Sequence, residues 1–117
     1  MDNAFTYAES NPLEIETDYP YRAVDDQCTF KQEKGKVRVT AIKDVPANDL
    51  KEMKKALTIG PISVAIQADT RIFQTYASGV LNSPECGTRI DHGVLAVGYG
   101  TSPEGLEYFL VKNSWGE

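Results

Sequence analysis

The sequence predicts an α+β fold: a helical, loop-rich first third followed by a mostly β remainder. Three observations carry that expectation. The first ten residues suit a short helix and meet Asn11-Pro12, which the helix cannot pass. Apolar runs at 61–66, 93–99 and 108–112 have strand character and are separated by Gly, Pro and Ser. The single histidine, His92, and the single tryptophan, Trp115, stand beside the last two of these runs.

The elements follow in order. Over 2–10, Asp2 is placed to cap the helix, and Phe5 and Ala8 share one face. Residues 13–26 are acidic and carry Asp18-Tyr19-Pro20-Tyr21, an extended loop whose tyrosines read as packing anchors. Lys31 to Lys36 is a charged, solvated connector with Gly35 near its end. Val37 to Ile42 alternates with period two and predicts a strand. Pro46-Ala47-Asn48 introduces a second helix with Asn48 as its N-cap, and Leu50, Met53 and Leu57 form a core-facing stripe. Gly60-Pro61 stops it, and Pro61 to Ile66 predicts a strand buried on at least one face. One helical turn is expected within 70–76, closed by Gly79, and residues 82–87 read as a loop. Gly93 to Tyr99 and Tyr108 to Lys112 then pair as a hairpin across the loop 101–106.

Bulk properties narrow the function. At 117 residues the chain has the size of one domain and enough length for a core. With 41% hydrophobic and 25% charged residues it is ordinary for a folded protein. A net charge of -5 argues against nucleic acid or anionic membrane as partner, since both select basic patches. No apolar run approaches the roughly 20 residues of a membrane span. Met1-Asp2-Asn3-Ala4 has neither the basic nor the apolar region of a signal peptide. Cys28 and Cys86 leave three options: they pair, closing a loop of about 58 residues worth about 4 kcal/mol; they are free thiols; or each has a partner outside the chain. Their spacing and a lone histidine exclude a zinc knuckle, and no metal or cofactor is expected.

The chemistry centres on His92. Imidazole exchanges protons near neutral pH and is the usual general base. To serve a thiol it presents one ring nitrogen to sulfur, while the other needs an acceptor that fixes the tautomer. The Asn113 carbonyl oxygen does this without adding charge, and the hairpin would bring it to His92. Trp115 would shield that bond from water. On spacing alone, a lone strand histidine is more often a packed or surface residue than a catalyst. The nucleophile is harder to find. Cys28 follows Asp25 and Asp26, and Cys86 follows Glu85, so neither has the electropositive setting that activates a thiol. Both read better as structural. Ser114 lacks a second histidine or acid arrangement. Base and orienter are present; the nucleophile is not.

The stretches Asp91-His92-Gly93-Val94-Leu95-Ala96-Val97-Gly98-Tyr99-Gly100 and Val111-Lys112-Asn113-Ser114-Trp115-Gly116 resemble the histidine and asparagine motifs of the papain-like cysteine proteases, cathepsin L type. Nearly the whole chain shares the likeness. Met1-Asp2-Asn3-Ala4-Phe5 resembles the segment after a Cys-Asn-Gly-Gly motif, Tyr19-Pro20-Tyr21 a Tyr-Pro-Tyr element, and residues 60–66 a central strand of the right-hand lobe. The resemblance implies a two-lobed fold, with residues 1–38 ending the helical left lobe and 39–117 forming most of the β-barrel-like right lobe. It implies His92 as catalytic base, Asn113 as orienter and Trp115 as their cover. Met1, Ala65 and Gly93 match positions lining the pocket for the substrate's P2 side chain, and Asp91 lies near the cleft. Cys28 and Cys86 match cysteines whose partners lie upstream and downstream, so both are expected as half-cystines not bonded to each other.

The expected function is therefore that of a piece of a thiol protease, hydrolysing peptide bonds by a Cys-His-Asn mechanism and carrying the His and Asn without the Cys segment or the oxyanion-hole glutamine. The isolated chain is expected to be inactive. The alternative is a non-catalytic homologue that binds peptides or proteins. Implied partners are a peptide or protein substrate, the remaining parts of the same protease and cystatin-like inhibitors, and the implied location is lysosomal or secreted. Truncation would leave a sheet edge and an apolar face uncovered, a liability for solubility.

Overall fold

A helix of nine residues, α1 (Asp2–Ser10), opens the computed structural model, which describes Met1–Gly116. Its N-cap is Met1, and no side chain caps it. Asp2 therefore lies inside the first turn, where its charge suits the helix dipole but its carboxylate does not cap, contrary to the expectation. Asn11 ends the helix in an extended conformation (φ -118°), as the following Pro12 requires. Its amide and side chain both donate to Tyr7 O.

The chain divides into two compact units, Met1–Asp44 and Val45–Glu117. In the first, Ala8 is the buried anchor at 1% exposure. The acidic loop is pinned by one tyrosine of its Tyr-Pro-Tyr: the Tyr19 hydroxyl accepts the Thr29 amide at 3.1 Å, while Tyr21 is 83% exposed and anchors nothing. A single 3-10 turn occupies Gln32–Lys34. The strand expected over 37–42 does not form. Val37 makes one antiparallel bridge to Leu13, and Val37 and Ile42 are both exposed. Alternation is not enough to make a strand; a ladder needs a partner along its length, and Leu13 supplies one position.

In the second unit, α2 (Leu50–Leu57) is capped by Asp49, whose side chain accepts the Glu52 amide at 3.0 Å. The expected cap, Asn48, instead sits in the left-handed region at φ 58°, a conformation asparagine tolerates, and so turns the chain into the cap. The helix packs on β2. Met53 and Leu57 are half-buried, but Leu50 is 62% exposed and leaves the stripe, because the helix only begins there.

Three strands, β1 (Ile62–Ile66), β2 (His92–Thr101) and β3 (Glu107–Lys112), form an antiparallel sheet in the order β1-β2-β3. The register Ile62↔Ala96 to Ile66↔His92 joins β1 to β2. An irregularity between Ala96 and Gly98 interrupts β2 against β3. The hairpin 101–106 closes as expected: Gly105 takes φ 84°, and Ser102 N donates to Leu106 O at 2.8 Å. The central strand is β2; β1, which the resemblance made a central strand, is an edge here, and its residues are half-buried except the exposed Ala65, so the burial expected on one face of 61–66 is partial. Burial concentrates on β2 and the loop after β1, at Val94, Ala96 and Ala68. Between β1 and β2 the chain makes α3 (Arg71–Gln74), as expected for 70–76, and a 3-10 turn, Pro84–Cys86. Val97, Tyr99, Leu110 and Val111 on the β2–β3 hairpin are exposed.

Candidate active site

The topology brings the two motif stretches together because His92 starts β2 and Asn113 follows the last residue of its neighbour β3. His92 Nε2 lies 2.8 Å from Asn113 Oδ1. The same oxygen accepts the Ser114 amide at 2.8 Å. That second bond identifies the atom as the carbonyl oxygen, since an NH2 group cannot accept from an amide N–H. An oxygen facing Nε2 requires Nε2 to carry the proton. In neutral His92 the lone pair is then on Nδ1, which has no hydrogen-bond partner among the described residues. The bond to Asn113 thus selects the tautomer and holds the ring plane.

Trp115 stacks on the imidazole, with ring centroids 4.9 Å apart and planes inclined by 27°. Phe73, on α3, meets the indole edge-on at 5.6 Å and 85°. The imidazole is half-buried, while Trp115 is itself 53% exposed, so the indole covers the ring and meets Phe73 yet leaves about half of its surface to solvent. Phe73 was not legible as a site residue. Its only signal in the sequence was an aromatic within the one-turn helix predicted at 70–76.

The other expected site residues divide. Ala65 and Gly93 are cross-strand partners in register, one step from the Ile66↔His92 pair, and both are exposed. Met1 belongs to the first unit, where it is 50% exposed. Asp91 turns its carboxylate to the backbone: Oδ1 accepts the Ala68 amide at 2.7 Å and Oδ2 the Asp69 amide at 3.2 Å. Asp69 in turn forms an ion pair with Arg89 and accepts the Gln67 carboxamide N–H at 2.7 Å. Donation by Gln67, then by Arg89, holds the Asp69 carboxyl below its ordinary value of 3.8. Cys28 and Cys86 are both free thiols in this structure, so neither is bonded to the other. Cys28 is exposed and Cys86 half-buried in the 3-10 turn.

The chain is similar to known proteins. Residues 1–117 match the family model described as "Papain family cysteine protease". A protein named cathepsin L from Sarcophaga peregrina is 50% identical over 119 residues, covering 99% of this chain and 35% of that protein. The oryzain beta chain of Oryza sativa subsp. japonica is 50% identical over 118 residues, covering 99% of this chain and 25% of that one. Among solved structures, digestive procathepsin L 3 of the Tenebrio molitor larval midgut superposes with a TM-score of 0.91 at 36% identity, over 99% of this chain and 38% of that one. Bromelain from Ananas comosus, in complex with the E64 inhibitor, gives 0.83 at 39% identity, over 97% and 52%. The chain spans about a third of the length of the cathepsin L relatives it matches.

Proposed function

The chain belongs to the papain family of cysteine proteases, and on that premise we propose that it supplies the base and orienter of a Cys-His-Asn peptidase, with the thiol contributed by neither Cys28 nor Cys86. The observation that carries this is the hydrogen bond of His92 Nε2 to an Asn113 oxygen already anchored by Ser114, under Trp115. It leaves the Nδ1 lone pair without a hydrogen-bond partner among the described residues, as proton removal from a thiol requires.

The reaction then divides into two displacements. His92 Nδ1 takes the thiol proton, and the thiolate attacks the peptide carbonyl. As the tetrahedral intermediate collapses, the imidazolium gives that proton to the departing amine and an acyl-thioester remains. Water, deprotonated by the same nitrogen, hydrolyses the thioester and restores the thiol. Throughout, Asn113 keeps Nε2–H directed away from the reacting atoms and stabilises the imidazolium without a second negative charge. On this reading Ala65 and Gly93, opposite each other beside His92, line the pocket for the P2 side chain, and their small size suits a bulky apolar P2 residue. Asp91 borders the cleft. Residues 1–38 and 39–117 belong to the left and right lobes, Cys28 and Cys86 are half-cystines of the whole protein, and that protein acts in the lysosome or outside the cell. No helix among the described residues is long and apolar enough to cross a membrane.

The test is a chimera joining this sequence to a nucleophile-bearing segment of a cathepsin L-type protease. It is expected to cleave a Phe-Arg fluorogenic substrate. His92→Ala should lower kcat/KM by about 10²–10⁴-fold, the range for one general acid–base group. Asn113→Ala should cost roughly 10- to 150-fold, one hydrogen bond to a charged group. The 117-residue chain alone should release no fluorophore. Turnover that survives His92→Ala, or His92-dependent turnover by the chain alone, refutes the assignment.

A further inference from the structure

His92 is the first residue of β2, so only one side of it is held by strand pairing. The residues leading into it are held differently, by side chains from the loop that follows β1. Asp91 N donates to Ile66 O at 3.0 Å, and the Asp91 carboxylate receives the Ala68 and Asp69 amides. Two residues earlier, Arg89 N donates to Gln67 Oε1 at 2.7 Å. The Gln67 amide group donates to Asp69 Oδ1, and the Arg89 guanidinium closes the ring of bonds on Asp69 Oδ2. These bonds bind 66–69 to 89–91 at the point where the β1–β2 ladder stops. The same loop reaches the other side of the imidazole. The Ala68 carbonyl, in a residue 3% exposed, accepts Gln74 Nε2 at 2.6 Å. Gln74 is on α3, whose Phe73 meets the Trp115 indole stacked on His92. One end of the network therefore sets the backbone entering His92, and the other sets the helix behind its aromatic cover.

We propose that Gln67, Asp69 and Arg89 are positioning residues for His92, forming a latch that fixes the imidazole through the strand entry and through α3, and that salt loosens this latch. The inference rests on the proposed role of His92 for its consequence in catalysis; the latch itself is a statement about the ring's position. Its weak point is its outer bond. The side chains of Arg89 and Asp69 are 78% and 43% exposed, so mobile ions reach the pair. The part-buried bonds of the Ala68 amide to Asp91 and of the Ala68 carbonyl to Gln74 are less accessible and should hold the fold while the outer pair opens.

The sequence contains one histidine, so every imidazole signal of the 15N-labelled chain belongs to His92. The measurement is exchange of the Nε2 proton with water, together with the Nδ1 and Nε2 shifts that report the tautomer. Asp69→Asn and Arg89→Gln are each expected to speed that exchange roughly two- to fivefold at low salt, the scale of an exposed ion pair. Raising NaCl to about 0.5 M, where the screening length falls to a few ångströms, should reproduce the effect in the wild type and leave Arg89→Gln unmoved. The reversed pair, Asp69→Arg with Arg89→Asp, should recover at least half of the loss. Backbone amide shifts of β2 and β3 beyond residue 95 should stay in place in every variant. A purely structural pair would change the unfolding midpoint without moving the imidazole signals. Exchange that rises by less than about 1.4-fold, the low end of what an exposed ion pair is worth, in both folded single variants overturns the proposal. So does a salt response equal in wild type and Arg89→Gln. If a variant fails to fold, the wild-type salt series decides. Activity enters nowhere, so an inactive chimera with a responsive imidazole refutes the peptidase reading and leaves the latch, and the reverse pattern does the opposite.

Discussion

Replacing Gly87 with alanine should strike the approach to His92 harder than any other single methyl group. Gly87 caps the 3-10 turn with φ 73° and ψ -177°, a backbone region that is essentially glycine's alone. Holding alanine there costs about 2 kcal/mol, the middle of the range for such strain. The new Cβ would also press on the Gln67 carboxamide, 2.8 Å from its Cδ, against an ordinary contact of 3.4 Å or more. Gln67 must then swing away and surrender its bonds to Arg89 N and Asp69. Those bonds are solvent-accessible, and together they add about 1 kcal/mol. The sum, about 3 kcal/mol, is a large share of a typical domain's 5–15 kcal/mol. In urea it should lower the midpoint by roughly 1–3 M at unchanged slope. A double-mutant cycle separates the two parts. In a Gln67→Ala background the same substitution should cost only the backbone part, about 2 kcal/mol, leaving a coupling near 1 kcal/mol. A total below about 1 kcal/mol, or equal costs in the two backgrounds, would refute the reasoning.

Three further outcomes are expected. Because Gln67 and Arg89 hold the Asp69 carboxyl below 3.8, the native state favours its charged form; that contribution is complete above the unfolded value and is lost as pH falls through the lower folded one. Protection of the Arg89 amide from hydrogen exchange should therefore weaken below about pH 3.8 in the wild type, and a profile identical in Asp69→Asn would contradict the assignment. Asp49→Ala should cost about 1 kcal/mol in thermal unfolding, the worth of an N-cap, whereas Asn48→Gly at φ 58° should be neutral or slightly stabilising; equal losses would show that the cap is misassigned. Leu110→Lys, on a strand where Leu110 is 57% exposed, should reduce self-association measured by sedimentation velocity while changing stability by less than about 0.5 kcal/mol; a wild-type chain that is monomeric at micromolar concentration would show that this surface needs no cover.

The legibility of this chain varied with the range of the interactions involved. Elements set by local rules were readable. The helix stopped at Asn11-Pro12, the turn at Gly105 closed the last hairpin, and the apolar runs after Pro61 and His92 became paired strands. The His92–Asn113 pair was readable for the same reason, since one hairpin brings its members together with little topological choice. Caps were off by one residue because Asn48 and Asp49 have similar chemistry, and only the observed backbone tells which is left-handed and which accepts the amide. The alternating run 37–42 misled, because a strand exists only where another backbone lies beside it and Leu13 offers a single bridge.

By itself the sequence pointed to the family and to the residues that meet: one imidazole, one asparagine a hairpin away and one indole beside it, with both cysteines next to acidic residues. Tertiary structure alone decided how the imidazole is held. Ser114 N–H identifies the Asn113 atom as oxygen and so selects the tautomer. Phe73 reaches the indole from a helix 42 positions away in sequence (roughly the separation across which folding, and no local rule, sets a contact). Gln67, Asp69 and Arg89 meet across two loops whose residues carry no periodicity and no motif. Local preferences act over a few residues of one chain segment, whereas these contacts depend on where β1 and β2 stop pairing, and that is fixed only when the sheet is complete.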